Sequence, residues 1–93
     1  MSSQVRQEIF DQIEEERAYQ DGKWGTEFDD KNTANDWQRY INDYAVKATV
    51  QQGFSQEVFE TNMRKVAALA IAAIETSQRN SGPARRHYDK LLA

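Results

Sequence analysis

Hydrophobic residues recur with helical spacing in three separate stretches of the chain. In residues 4–20, Val5 and Ile9 begin a narrow apolar stripe with a four-residue step on an otherwise charged segment. A broader apolar face, rich in aromatic side chains, runs through residues 33–51, and a third periodic stretch covers residues 55–79. The pattern predicts an all-α fold built from three helices over these ranges.

Two glycines are expected to end the first helix. Gly22 and Gly25 follow its last periodic residue, and glycine commonly occupies the position just after a helix. Residues 26–32 are rich in aspartate and asparagine, which favours a loop. Lys23 and Trp24 are therefore expected to lie on a turn.

The other two helices have clear start signals. Thr33 with Asp36 three residues later is a variant of the capping box, and Ser55 is a suitable N-cap for the third helix. We expect a single helical domain over residues 1–82, followed by a basic C-terminal tail over residues 83–93.

The third helix contains a segment that is apolar on every face. Residues 66–74 read VAALAIAAI, and a single neighbouring helix cannot cover such a segment in a three-helix chain. The chain has only 93 residues, of which 39% are hydrophobic, so the core of an isolated monomer would be small. These features predict an oligomeric helical bundle, a dimer or a higher homo-oligomer.

Composition limits the environment and the partners. The formal net charge of -3 argues against duplex nucleic acid as a partner, because such binding usually needs a basic face. The sequence contains no cysteine, which fits a reducing compartment. Its longest apolar run is too short to span a bilayer, and its first residues do not resemble a signal peptide. The expected location is the cytoplasm, with no membrane partner.

The segment over residues 16–25 has the pattern E-R-x-x-Q-x-x-K-W-G. With the two helical segments that follow, it resembles small phage proteins related to the all-α MazG-type nucleotide pyrophosphohydrolases. The resemblance implies an oligomeric helical bundle that acts on nucleoside triphosphates with Mg²⁺. It also implies the cytoplasm of a host cell as the location, if the protein is encoded by a phage.

The carboxylates that this family uses to bind metal are largely replaced here. Aligned through the K-W-G turn, the family's E-E-x-x-E pattern falls on Asp43, Tyr44 and Lys47, and two further acidic positions fall on Thr61 and Asn62. Magnesium prefers several hard oxygen ligands, whereas a lysine offers a positive charge that suits a phosphate. We therefore expect no metal cofactor, with Mg²⁺ retained as the alternative if the protein is an enzyme.

A ligand pocket is expected where the first turn meets the second and third helices. Lysine and arginine side chains would bind phosphate, an aromatic ring would stack on a base, and an amide would hydrogen-bond its edge. Trp24 and Trp37 are both candidates for stacking, although a tryptophan in so small a domain is more often part of the core. The predicted ligand-binding residues are Gln20, Lys23, Trp24, Asp43, Tyr44, Lys47, Asn62, Lys65, Arg85 and Arg86.

Three functions are compatible with these features. The first is a non-catalytic, phage-encoded protein that binds a nucleotide or cyclic nucleotide and sequesters an immune signal of the host. The second is an inhibitor of a host protein that acts by protein–protein contact. The third is a Mg²⁺-dependent nucleoside triphosphate pyrophosphohydrolase. The replaced carboxylates favour the first over the third.

Overall fold

The computed structural model describes residues 3–50 and 55–85, and this part of the chain is all-α. Its helices are α1 (Ser3–Asp30), α2 (Ala34–Val50) and α3 (Gln56–Asn80). The described ranges contain no strand, only one isolated parallel bridge between Thr33 and Ala84. Position 51, where the second helix was predicted to end, and the tail from Arg86 onward lie outside the described residues.

The first helix is longer than the glycines predicted. Helical structure continues from residue 20 through Gly22 and resumes after a kink at Gly25, whose φ of 81° and ψ of 172° are not helical. The turn predicted for Lys23 and Trp24 is therefore wrong, because both residues are helical, and the loop predicted over residues 26–32 is wrong over most of its length. A glycine inside a helix costs only about 1 kcal/mol relative to alanine, so Gly22 is tolerated. Gly25 makes the break because positive φ strains any residue with a Cβ.

The starts of α2 and α3 agree with the predicted caps. The Thr33 N–H donates to Asp36 Oδ2 at 3.0 Å, and the Asp36 N–H donates to Thr33 Oγ1 at 3.1 Å. At the start of α3 the Val58 N–H donates to Ser55 Oγ at 3.1 Å. Each side chain satisfies a backbone donor that the first helical turn leaves free.

The central helix of the fold is α3, which packs against both α1 and α2. Trp37 from α2 and Leu69 and Ala72 from α3 form the buried cluster. Four partly buried residues pack against it, namely Tyr40, Ile41, Tyr44 and Ala73. The core thus lies mainly between α2 and α3.

One chain buries only one side of the apolar segment over residues 66–74. Leu69 is 4% exposed and Ala72 is 2% exposed, whereas Ile71 is 38% exposed and Ile74 is 57% exposed. The expectation that this segment is covered on all faces is not met within a single chain. Its outer face is available for another surface.

Ion pairs attach the short helical segment that follows Gly25. Asp29 is 6% exposed and its Oδ2 lies 3.5 Å from Arg17 Nη2 within α1. Its neighbour Asp30 accepts hydrogen bonds from Arg79 Nη2 at 2.6 Å and from Asn80 Nδ2 at 2.8 Å, both on α3. These contacts fix residues 26–30 against the rest of the bundle.

The start of the predicted tail joins the fold at the α1–α2 connection. The Ala84 N–H donates to the Asn32 carbonyl oxygen at 3.1 Å. Ser81 provides the left-handed cap that ends α3, with φ of 58°. Among the described residues, no helix has the length and apolar character needed to cross a membrane.

Candidate functional site

An aromatic cleft lies between the kinked end of α1 and the face of α2. Its volume is about 260 Å³. The lining residues are Trp24, Phe28, Trp37, Tyr40, Asp43, Tyr44, Lys47 and Leu69. We call this feature the aromatic cleft. Five of its residues carry aromatic rings, so it suits a flat, partly apolar ligand.

Near-parallel rings form one wall of the aromatic cleft. The centroids of Trp24 and Phe28 are 6.0 Å apart with planes 25° apart, and those of Phe28 and Tyr40 are 6.3 Å apart with planes 24° apart. Trp37 meets Tyr40 edge-on at 6.1 Å. The Tyr40 hydroxyl donates to Asn32 Oδ1 at 3.1 Å, which holds this ring in place. The rings of this wall thus contact one another, and their apolar, aromatic character suits a planar ligand.

Two lysines lie over rings that line the aromatic cleft. Lys23 Nζ is 5.0 Å from the Trp24 ring centroid, and Lys47 Nζ is 4.8 Å from that of Tyr44. Neither lysine has an ion-pair partner in the part of the chain that the structure describes. Both ammonium groups can therefore donate to an anion at the cleft.

A third lysine stands beside this pair. Lys65 Nζ lies 5.7 Å from the Tyr44 ring centroid and 6.0 Å from that of Tyr19. Lys23 also lies 6.0 Å from the Tyr19 ring centroid, so the two tyrosine rings connect all three cations. Unlike the other two, Lys65 has a carboxylate partner, Glu16, at 3.4 Å. Its charge is thus partly neutralised before any ligand binds.

The structure brings together most, but not all, of the predicted site residues. Trp24, Asp43, Tyr44 and Lys47 line the aromatic cleft, and Lys23 and Lys65 reach rings at its edge, as described above. These six residues come from all three helices.

The remaining predicted residues do not line the aromatic cleft. Gln20 is 4% exposed, and its Oε1 has no hydrogen-bond partner among the described residues. Asn62 is also buried, and its Nδ2 donates to the Val58 carbonyl oxygen within α3. Arg85 is exposed beside the residue that bonds the α1–α2 connection, and Arg86 lies outside the described residues.

Sequence reasoning did not include four lining residues in the site. Phe28 falls in the predicted loop, Tyr40 on the apolar face of the second helix, and Leu69 in the apolar segment of the third. Trp37 was considered for both roles, and it both belongs to the buried cluster and lines the aromatic cleft. The spacing of Trp37, Tyr40 and Tyr44 on one face of α2 was the available signal for a shared aromatic wall.

The donor groups at the aromatic cleft do not fit a Mg²⁺ site. Asp43 is the one carboxylate in its lining, and Lys47 stands one helical turn away. Magnesium favours several oxygen ligands, and a nearby ammonium group opposes a cation. Across residues 3–50 and 55–85, no group of three or more histidine, cysteine, aspartate or glutamate residues is placed to hold a metal ion.

The chain matches no protein-family model, no curated protein and no solved structure. The function is therefore inferred from the geometry and charge of the site itself. The relevant facts are the ring geometry, the two unpaired lysines and the single lining carboxylate.

Proposed function

We propose that the protein binds a nucleotide in the aromatic cleft without turning it over. The observation that carries this proposal is the position of Lys23 and Lys47, each lying over a ring that lines the cleft. A nucleotide combines a flat base with an anionic phosphate at a short distance. The rings supply stacking surfaces for the base, and the ammonium groups supply donors for the phosphate.

The cation–π contacts leave the lysines free to respond to a ligand. At an exposed site such a contact is worth about 0.5 to 1 kcal/mol. A hydrogen bond to a charged group contributes about 1.5 to 3 kcal/mol. A phosphate can therefore draw Lys23 or Lys47 into direct contact at small cost, while the rings hold both ammonium groups near the cleft in the free protein.

We propose no turnover because few groups at the cleft could bind a metal ion. Phosphoryl and pyrophosphoryl transfer from a nucleotide generally rely on metal ions to stabilise the developing charge. Asp43 alone among the lining residues can contribute a carboxylate oxygen, and Lys47 lies where the family pattern places another acid. Together with the resemblance of residues 16–25 to phage proteins, this favours a role in which the protein sequesters a host nucleotide signal.

Calorimetry against linear and cyclic nucleotides tests this proposal. Lys23→Met and Lys47→Met keep most of the side-chain stem but remove the charge, and each should weaken binding by about 1.5 to 3 kcal/mol. Lys31→Met is the matched control, because Lys31 is 74% exposed, pairs with Glu27 and does not line the cleft.

The salt dependence provides a second readout. Added salt should weaken wild-type binding more than binding by the Lys23 and Lys47 variants, because screening acts on the contacts that they lack. If no nucleotide binds the wild-type protein, the nucleotide proposal fails. Inhibition of a host protein would then become the leading alternative.

We also propose that the protein assembles as a homo-oligomer through its exposed apolar helix faces. Ten large hydrophobic side chains of the described residues are exposed, whereas the buried hydrophobic residues are Trp37, Leu69 and three alanines. Phe10 on α1 is 56% exposed and Ile74 on α3 is 57% exposed. Soluble monomers rarely leave so much apolar surface in water, and a second copy can cover it by symmetry.

Sedimentation velocity tests the assembly. The wild-type protein should sediment as a dimer or a larger species at micromolar concentration, and Ile74→Glu should shift it toward the monomer, because a charge in an apolar interface is costly. Gln38→Glu is a suitable control, because it adds the same charge at an exposed polar position of α2. A wild-type monomer at micromolar concentration would contradict the proposal.

A further inference from the structure

The aromatic cleft contains one group that does not suit an anionic ligand. Asp43 is exposed, lines the cleft, and has no hydrogen bond or ion pair among the described residues. Its negative charge repels a phosphate. An anionic ligand therefore binds best here if another part of it donates hydrogen bonds to this carboxylate.

Lys47 does not neutralise this carboxylate in the structure. The two residues are four positions apart on α2, in the order that favours an ion pair on a helix. Lys47 Nζ instead lies 4.8 Å from the Tyr44 ring centroid, and no ion pair joins it to Asp43. The acceptor and the donor are thus presented separately, one turn apart on α2.

An ionised carboxylate accepts hydrogen bonds and donates none. Its two oxygens match a ligand edge that carries two adjacent donors. Among the common bases, the Watson–Crick edge of guanine has this pattern, with N1–H beside the N2 amino group. Adenine and cytosine each place an amino group beside an acceptor nitrogen, and uracil places one N–H between two carbonyl oxygens.

We infer that Asp43 makes the aromatic cleft selective for guanine nucleotides. In this arrangement the base stacks on the aromatic wall, its N1–H and N2 amino group donate to the Asp43 carboxylate, and the phosphate meets Lys23 and Lys47. The inference rests on the proposed nucleotide function and names the base class of the same site.

An organic cation is the other ligand that an aromatic cleft with one carboxylate can hold. The two unpaired lysines at the same cleft argue against it, because each would repel a cation. Lys47 in particular lies over one of the rings that such a cation would have to approach. The charge at the cleft therefore favours a ligand that combines donors on a flat ring with a separate anionic group.

Calorimetry with GMP, IMP, AMP and UMP tests the inference in the full-length protein. A bidentate base contact discriminates against the wrong base by about 1 to 3 kcal/mol, which corresponds to a preference of about 5- to 150-fold for GMP over AMP and UMP. IMP keeps N1–H but lacks the N2 amino group, so its affinity should lie between those of GMP and AMP. The preference should persist in EDTA, because the contact needs no metal ion.

Asp43→Asn should reduce the preference for GMP to less than about 3-fold, since an amide offers one acceptor in place of two. Asp11→Asn is the matched control, because Asp11 accepts a hydrogen bond from Gln7 on an exposed part of α1 and does not line the cleft. It should keep the full preference.

The possible outcomes separate the two proposals. Equal binding of all four nucleotides, an unchanged preference in Asp43→Asn, or a preference that disappears in EDTA overturns the guanine assignment and leaves nucleotide binding intact. If none of the four binds, the guanine assignment is overturned, and if choline chloride binds instead, the nucleotide function is overturned with it.

Discussion

Arg17 connects the two parts of α1 to α3, and its removal should destabilise the fold. Its side chain is 14% exposed, and its Nε donates to Glu75 Oε1 at 2.8 Å. Its Nη2 lies 3.5 Å from the buried Asp29 carboxylate. Arg17→Met keeps an unbranched apolar stem but leaves Asp29 without its nearest cation.

The size of the effect follows from the burial of each partner. Removing one member of a buried ion pair costs about 3 to 5 kcal/mol, because the remaining charge has lost its counterion. The contact with Glu75, which is 51% exposed, adds no more than about 1 kcal/mol. Arg17 itself keeps some contact with water, so we expect a loss near the lower limit, about 3 kcal/mol. That is a large share of the stability of a small domain.

The loss should depend on pH. Burial raises the pKa of Asp29 above its ordinary value of 3.8, and the Arg17 charge opposes that rise. Without Arg17 the pKa should rise further. A protonated Asp29 needs no cation, so the stability deficit of Arg17→Met should be largest at neutral pH and should shrink as the pH falls through the raised pKa.

Urea unfolding followed by helical circular dichroism at pH 7 and pH 5 measures this difference. The double variant Arg17→Met with Asp29→Asn should be more stable than Arg17→Met alone at pH 7, because it removes the uncompensated charge. Lys31→Met is the control, since its ion pair with Glu27 is exposed and should contribute at most about 1 kcal/mol. A double variant no more stable than the single one, or a deficit equal at both pH values, would refute the reasoning.

Three further predictions concern acid stability, packing and chemistry. Hydrogen bonds from Arg79 and Asn80 lower the pKa of Asp30 below its ordinary value of 3.8. Asp30 therefore stabilises the fold at pH values above 3.8, and this contribution is lost as the pH falls through the lowered pKa. In Asp30→Asn, the stability measured by acid unfolding should depend less on pH in that range. Leu69→Ala should lower the free energy of unfolding in urea by about 2 to 5 kcal/mol, and a smaller loss would contradict the assigned core. No Mg²⁺- or Mn²⁺-dependent release of pyrophosphate from a nucleoside triphosphate is expected in a colorimetric assay; metal-dependent turnover that disappears in Asp43→Asn would contradict this.

The helix starts could be predicted from sequence because their signals are local. Each cap contact joins residues three positions apart in the chain. Thr33 and Asp36 bond each other, and Ser55 bonds the N–H of Val58. The end of α1 could not be predicted in the same way. Two glycines offered possible breaks, and the segment after Gly25 is held by partners distant in sequence, such as the contact between Asp30 and Arg79.

The candidate site was predictable to the extent that its residues share a helix face. Asp43, Tyr44 and Lys47 lie within one turn of α2, so their proximity follows from helical spacing. Phe28 was missed because its position depends on the kink and on long-range ion pairs. Asn62 was assigned to a ligand, whereas its buried amide bonds the backbone of its own helix, a choice that sequence spacing does not reveal.

The ion pairs that stabilise the kink also determine the shape of the aromatic cleft. Trp24 lies before Gly25 and Phe28 lies after it, so the separation of these two rings depends on the path of the chain between them. Phe28 directly precedes Asp29, which Arg17 holds in place. Arg17→Met should therefore weaken nucleotide binding although Arg17 does not line the cleft.

This indirect loss should differ from the loss of a phosphate contact. Because Arg17→Met leaves Lys23 and Lys47 in place, the dependence of affinity on salt concentration should remain that of the wild-type protein. The Lys47→Met variant should instead show a weaker dependence on salt. Calorimetry of both variants at low and high salt separates the two causes, and a salt dependence reduced equally in both would show that Arg17 itself contributes to anion binding.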